Sequence, residues 1–542
     1  VAGDDGAGPA ATRPAPSRGL GVGALLAHQA TRLGPRPFLA LPDGQLSFAG
    51  ADELANRAAN VLADLGYGVG DIVMCRAGNG LAAVATWFAC MKLGAVFMPV
   101  NSLLSGEPLR RVMAHSRGRV LVCEAELYPR LAAVRAGLAD LTHVLVAGGP
   151  APEGTLSLDH LLERAAATPP PALADDPAAP AKLMYTSGTT GVPKGVLWSR
   201  WCEATWARCY GEEMVPIAPG ESTYCCLPLS HVTCQGTALA ALWCGGRITI
   251  DAGFSPYAFW DRVRQAEAVA FTFVGTILSV LARRPEQADD ADNPVRRILG
   301  AAAPADCWRE VERRFGLVIV EVWGQTETAS CWTMPVALPQ APGTVGRPTP
   351  RFEARIVGDD GEGRPPGTPG EMWIRPLQPH VMFEGYLADG GGLSRPWSAE
   401  GWYRTGDTML QREDGDFEFV GRLRDAIRRR GEMISASDVE QAALAHPGVV
   451  EAAAVGVPAG DGFDEEVKLC AVPRPGADLD PAELHRFVLG RLPRFMVPRF
   501  VDVRAELPKT PTTRVQKYRL RDEGTAGVWD SRRKSAPAPG PD

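Results

Sequence analysis

The densest run of chemistry-bearing residues is KLMYTSGTTGVPKGV, from Lys182 to Val196. An apolar stretch opens into Thr186, Ser187, Gly188, Thr189, Thr190 and Gly191, and Lys194 follows. Hydroxyls, backbone amides and one cation are thereby gathered in a short loop, and glycine lets another group approach its backbone closely. These are the parts of a loop that wraps phosphate oxygens. The G-x-x-x-x-G-K-[ST] order of a Walker A loop is absent. A flexible turn of small polar residues is the plain alternative, and the strand before the loop with the Pro-Lys-Gly after it speaks against that.

Such a loop must be held by regular elements, and the flanking sequence supplies them. DIVMCRA from Asp71 reads as a strand, LAAVATWFACMKLG from Leu81 as a helix and VFMPV from Val96 as another strand. ILGAAAP from Ile298 and VIVEVWG from Val318 repeat the pattern of a strand emptying into a glycine-bearing loop. Alternating strands and helices imply a parallel sheet covered by helices, with ligand loops at the carboxyl edge. After Gly346 shorter strands and turns (FEARIVGDDGEG, EMWIRP, GDFEFVGR) suggest a barrel-like β subdomain. From GRLRD at Gly421 a small α+β domain begins, in which Ser437 and Glu440 match a capping box. The expected division is a tail over 1–18, a large α/β domain over 19–423, a small domain over 424–525 that rotates about a short charged link, and a second tail over 526–542.

The chain has 542 residues, with 56 basic and 63 acidic side chains and a net charge of −7. This balance creates no general field for nucleic acid or an anionic membrane. The uncharged stretch from Cys225 to Gly246 is interrupted by Pro228, Ser230, His231 and Gln235, and suits a buried helix better than a membrane span. Twelve scattered cysteines without a C-x-x-C pair point to a reducing, cytoplasmic setting. The N-terminal VAGDDGAGPAATRPAPSRG lacks the apolar core of a secretory signal.

With the phosphate-type loop, KLGAVFMPVN from Lys92, LPLSHV from Leu227, LGAAAP from Leu299, WGQTET from Trp323, GEMWIRP with the later Gly385-Tyr386 pair, WYRTGD from Trp402, GRLRDAIRRRGEMIS from Gly421 and LPKTPTTRVQK from Leu507 follow in order. From about Leu46 to Arg521 the chain resembles the AMP-forming adenylating enzymes: acyl-CoA synthetases, peptide-synthetase adenylation domains and firefly luciferase. LPLSHVTCQG and RRRGEMIS are most similar to the crotonobetaine/carnitine-type acyl-CoA ligase branch. The resemblance implies that a carboxylate attacks the α-phosphorus of Mg-ATP to give acyl-AMP, and that the thiol of CoA then displaces AMP.

It further implies the following roles. The 186–194 loop holds the β and γ phosphates, Glu327 ligates Mg²⁺ and Thr326 bonds the α-phosphate. Trp323, where the family usually has Tyr, stacks on adenine against the turn of Gly300, Ala301 and Ala302. Asp407 binds the ribose hydroxyls, with Arg422 as a second contact. His231 gates an acyl pocket drawing on Trp206, Phe273, Val274 and Gly275, whose apolar character suits a bulky hydrophobic acid. Arg424 occupies the hinge. Gly431 lets pantetheine pass, and Arg428 with its neighbouring arginines meets CoA phosphates.

One departure stands out. Where the family's C-terminal block ends in Gly-Lys, this sequence has Thr513-Arg514. A planar guanidinium cannot simply take the place of an ammonium. Loss of one such donor typically costs about 3 to 4 kcal/mol in the transition state. Lys517 substitutes only if the stretch is helical. The expectation is an acyl-CoA ligase with weak adenylation and intact thioester formation, fed with acyl-AMP by a separate adenylating enzyme. An ordinary two-step ligase, transfer of the adenylate to a non-CoA acceptor, and a non-catalytic nucleotide-binding scaffold are the rivals.

Overall fold

The computed structural model describes residues 21–532 apart from 175, 187–193, 283, 304–306, 359, 423–425, 431, 460–464, 509–514 and 516. Ser187, Gly188, Thr189, Thr190, Gly191, Arg424, Gly431 and Arg514 therefore lie outside the described residues, as does the side chain of Arg422.

The expected strand–helix–strand unit forms Ile72–Arg76, Leu81–Leu93 and Val96–Pro99. Its helix is buried at every position from Ala82 to Cys90, which is why its sequence is apolar all round rather than striped. It ends at Gly94, whose φ of 76° is a left-handed cap that glycine takes without strain.

Among the described residues, two large sheets carry the N-terminal region. One has nine strands, and its interior strands Pro180–Thr186, Val96–Pro99, Ile72–Arg76, Val120–Glu124 and His143–Ala147 run parallel. The other has seven, with Val318–Glu321, Arg297–Ala301, Ala268–Val274, Ser222–Cys225, Arg247–Ile250 and Pro37–Leu41 parallel in that spatial order. Thr333–Met334, Thr344–Pro348, Phe352–Val357, Gly370–Pro376, Tyr403–Gln411 and Phe417–Arg422 form a six-stranded antiparallel sheet, whereas Gly385–Leu387 and Leu393–Ser394 join the edge of the nine-stranded one. This is the mixed α/β architecture anticipated from the alternating pattern. The stretch from Cys225 is helical only over Val232–Cys244, because Cys225 closes a strand and a loop intervenes.

From Ala426 onward a hairpin (Ala426–Arg429 with Glu432–Ser435) precedes a four-stranded sheet covered by Ala436–Leu444 and Pro481–Leu489. Ile427, Ile434, Val467 and Val501 belong to a core cluster confined to this region, separate from the main core. Two local expectations fail here. The helix begins at Ala436, ahead of Ser437, and Glu440 accepts from the backbone N–H of Ala454 (2.8 Å) and pairs with Lys517 (2.6 Å) rather than closing a capping box. The second tail does not begin at 526. Trp529–Asp530 pairs with Phe500 and Val501, and Arg499 bonds Asp530 at 3.0 Å. An open strand edge beside an arginine captures these two residues ahead of the first tail proline, Pro537.

Candidate active site

Parallel strands from both sheets, Val96–Pro99 and Pro180–Thr186 on one side and Ala268–Val274 and Arg297–Ala301 on the other, end at one cavity of about 690 Å³. Tyr185, Thr186 and Lys194 reach it from one sheet; Phe273, Val274, Gly300 and Ala301 reach it from the other. Glycine is required where these strand ends crowd together. A Cβ on Gly300 would lie 2.1 Å from the carbonyl oxygen of Phe273, and one on Gly275 would lie 1.9 Å from that of Ala302. Gly300 thus forms the wall itself, whereas Gly275 and Ala302, which takes a φ of 61°, shape it from behind.

Thr326 and Glu327 follow the strand Val318–Glu321 and line the cavity. The Thr326 carbonyl accepts from the indole N–H of Trp198 at 2.9 Å. Glu327 Oε1 accepts from the Tyr386 hydroxyl at 3.0 Å, and Tyr386 and Tyr403 share a hydroxyl contact of 3.1 Å. Burial raises both phenols, with the Glu327 charge adding to it, so each stays a protonated donor through ordinary pH. Lys194 Nζ lies 4.6 Å from the centroid of the Tyr386 ring, placing a cation over the same ring whose hydroxyl donates to Glu327.

Asp407 is 2% exposed and lines the same cavity. Its Oδ2 accepts from Trp323 Nε1 (2.8 Å) and Gln325 Nε2 (2.7 Å), charge-assisted bonds that fix the carboxylate's orientation. Trp323, expected to stack on adenine, is 5% exposed with its ring packed in the main core, and its indole N–H holds Asp407 in place. Behind the turn, burial pushes the Glu321 carboxyl up to about 8, and its Oε1 accepts from the N–H of Ala303.

The other end of the cavity is aromatic. Trp198, Trp206, Tyr210 and Trp332 form a chain of edge-to-face contacts with centroids 5.0, 5.4 and 5.9 Å apart, and Phe273, Val274, Met214 and His231 join them. Trp206, Phe273, Val274 and His231 were expected here from the sequence. Trp198, Tyr210 and Trp332 were not, although the W-x₇-W-x₃-Y spacing of Trp198, Trp206 and Tyr210 was readable. Tyr386 and Tyr403 were visible within their motifs but had been given no role.

At the mouth stand Glu432, Asp438, Phe495 and Met496 from the small domain. Glu432 accepts from Asn101 Nδ2 at 3.1 Å, and Asp438 pairs with Arg111 at 3.3 Å. The hairpin of the RRRGEMI motif thus faces the cavity. Arg428 lowers the Glu321 pKa through its charge, placing it near the turn. Its neighbour Arg429 is committed to Glu466 (2.7 Å) and to the carbonyls of Phe495 and Val497, which removes it from the expected phosphate cluster. Lys517 begins a helix, Lys517–Asp522, but its ion pair with Glu440 holds it away from the cavity; in this arrangement it does not stand in for the missing lysine.

Among the described residues no group of three or more His, Cys, Asp or Glu side chains forms a metal cage. A single carboxylate such as Glu327 nevertheless fits Mg²⁺, which binds through one or two carboxylates and completes its shell with phosphate oxygens and water.

This geometry is that of a nucleotide-dependent carboxylate-activating enzyme, and sequence comparison agrees. Residues 26–387 match the AMP-binding enzyme family and residues 438–514 match the AMP-binding enzyme C-terminal domain. The chain is 33% identical over 507 residues to a sulfoacetate–CoA ligase of Cupriavidus necator, covering 92% of this chain and 97% of that one. It is 30% identical to a crotonobetaine/carnitine–CoA ligase of Salmonella paratyphi A, covering 88% and 93%. Among solved structures, the amide bond synthetase McbA from Marinactinospora thermotolerans superposes with a TM-score of 0.80 at 26% identity, over 93% of this chain and 99% of that one. The chain belongs to the AMP-binding enzyme family. Within it, this is an AMP-forming acid–thiol ligase. No helix of the described residues is long and apolar enough to cross a membrane.

Proposed function

We propose that the protein converts a bulky hydrophobic carboxylic acid into its CoA thioester through an acyl-adenylate. The observation that carries this is one cavity with an aromatic end and a polar edge of Thr186, Lys194, Thr326, Glu327 and Asp407. A carboxylate oxygen attacks the α-phosphorus of ATP and expels pyrophosphate. The sulfur of CoA then attacks the acyl carbonyl, AMP leaves, and the thiol proton is released.

Thr326 and Lys194 bind phosphate oxygens, Asp407 holds the ribose, and Glu327 holds Mg²⁺, which when bound neutralises phosphate charge. The 187–193 loop and Arg422 complete the nucleotide contacts, while Gly431 lets pantetheine pass and Arg428 meets CoA phosphates. The chain works as a domain over 19–423 and a small domain from 424 that turns at Arg424. Among the described lining residues the Lys and Arg side chains are Lys194 and Arg404, the former beside Tyr386 and the latter paired with Glu371 at 2.7 Å. The aromatic end therefore offers no counter-charge to an anionic tail and favours an uncharged one.

Arg514 in place of the family lysine supports weak adenylation with thioester formation retained, and the engagement of Lys517 with Glu440 supports it further. The test supplies CoA with either free acid and ATP or preformed acyl-AMP, across aliphatic and aromatic acids. Thioester from acyl-AMP only, with negligible ATP/pyrophosphate exchange, is the expected outcome, and it assigns adenylate supply to a separate enzyme. Equal rates from both supplies make this an ordinary two-step ligase. The similarity to McbA favours one second reading, transfer of the acyl group to an amine; amide formation without CoA identifies it.

A further inference from the structure

We infer that Lys182 is a positioning residue that, paired with Glu203, fixes the aromatic wall of the acyl end and thereby sets which acids fit. This rests on the acyl-pocket reading above. Lys182 is wholly buried on the strand Pro180–Thr186, and its Nζ lies 2.7 Å from Glu203 Oε1, itself buried on the helix Arg200–Cys209. The same Nζ stands 5.6, 5.0 and 4.7 Å from the ring centroids of Trp87, Trp198 and Trp206. Trp198 and Trp206 line the cavity, whereas Lys182 and Glu203 are not among its lining residues.

The arrangement follows from register. Lys182 is the cross-strand partner of Trp198, so the two side chains share a face of the sheet. Trp206 comes from the helix that carries Glu203. A cation held by a carboxylate and attracted to the indole faces resists rotation of either wall residue. Trp198 also donates to the Thr326 carbonyl, which anchors the base of the wall independently of Lys182. An apolar pair of similar volume would generally be no less stable than a buried ion pair. What Lys182 and Glu203 add is a wall held in one arrangement.

The experiment measures binding of AMP and of two inert adenylate mimics, 2-naphthoyl- and acetyl-sulfamoyladenosine, to the wild type and to Lys182→Met/Glu203→Leu. The double variant removes both charges together and so leaves no unpaired buried ion. The wild type is expected to prefer the naphthoyl mimic by at least about tenfold, in line with discrimination by apolar pockets. The double variant should bind AMP within threefold of wild type but lose most of that preference. A general loss of stability would weaken all three ligands together and leave the ratio unchanged. If the double variant does not fold, Lys182→Gln/Glu203→Gln, which keeps both volumes and likewise leaves no unpaired buried ion, gives the same readout. A folded variant that keeps the preference, or a wild type that binds both mimics alike, overturns the inference. A wild type that binds neither mimic refutes the functional reading itself.

Discussion

Replacing Trp323 with Phe separates two roles for this residue, since stacking survives the change and the hydrogen bond does not. In the wild type, Asp407 Oδ2 accepts from Trp323 Nε1 at 2.8 Å and from Gln325 Nε2 at 2.7 Å, with the carboxylate nearly inaccessible. A hydrogen bond to a charged group contributes about 1.5–3 kcal/mol. Because Gln325 still holds the same oxygen, we take the lower end, about 1.5 kcal/mol, or roughly tenfold weaker binding of AMP. Calorimetric titration with AMP checks this, with Asp407→Asn and the double variant completing a thermodynamic cycle. The cycle should return a coupling of about 1 kcal/mol, as expected for groups in contact. Trp323→Phe binding AMP within threefold of wild type, or additive effects in the cycle, would refute the assignment of Trp323 as the residue that orients the carboxylate proposed to bind the ribose.

Glu321→Gln probes a buried carboxyl whose folded pKa of about 8 exceeds its ordinary 4.5. The wild-type stabilisation from this group is fully present below 4.5 and is lost as pH rises to about 8, over a range of several kcal/mol. The variant should therefore melt higher than wild type at pH 8.5 and not at pH 4.5; parallel melting profiles would contradict this. Asp438, pushed up to about 6 by burial, gives a slope of the same sign that remains in the variant, between its ordinary 3.8 and 6. Arg514→Lys should raise ATP/pyrophosphate exchange by about a hundredfold if one placed donor is what adenylation lacks, and an unchanged rate would remove Arg514 from the explanation. In the Arg514→Lys background, Tyr386→Phe takes one donor from Glu327 and should reduce kcat/KM for ATP by roughly tenfold without changing AMP affinity.

The parallel architecture was legible because buried strands and helices must carry continuous apolar runs, as DIVMCRA and LAAVATWFACMKLG do. The capping box failed for a tertiary reason: Glu440 is drawn to Ala454 and Lys517 by packing of the helix on the neighbouring sheet. The closing strand was hidden by composition, since two residues paired on an edge carry no periodicity.

The sequence by itself offered a Ser/Thr/Gly-rich run ending at Lys194, and the resemblance carried by the ordered blocks singled out Thr326, Glu327, Asp407 and the departure at Arg514, because each lies within a short run that is recognisable without knowledge of the fold. Only the tertiary structure decided that Trp323 points at Asp407, that Lys517 is held by Glu440, and that Lys182 stands behind the aromatic wall. Those facts join residues far apart in the chain, and the direction of a side chain in a core is set by what packs around it rather than by its neighbours in sequence.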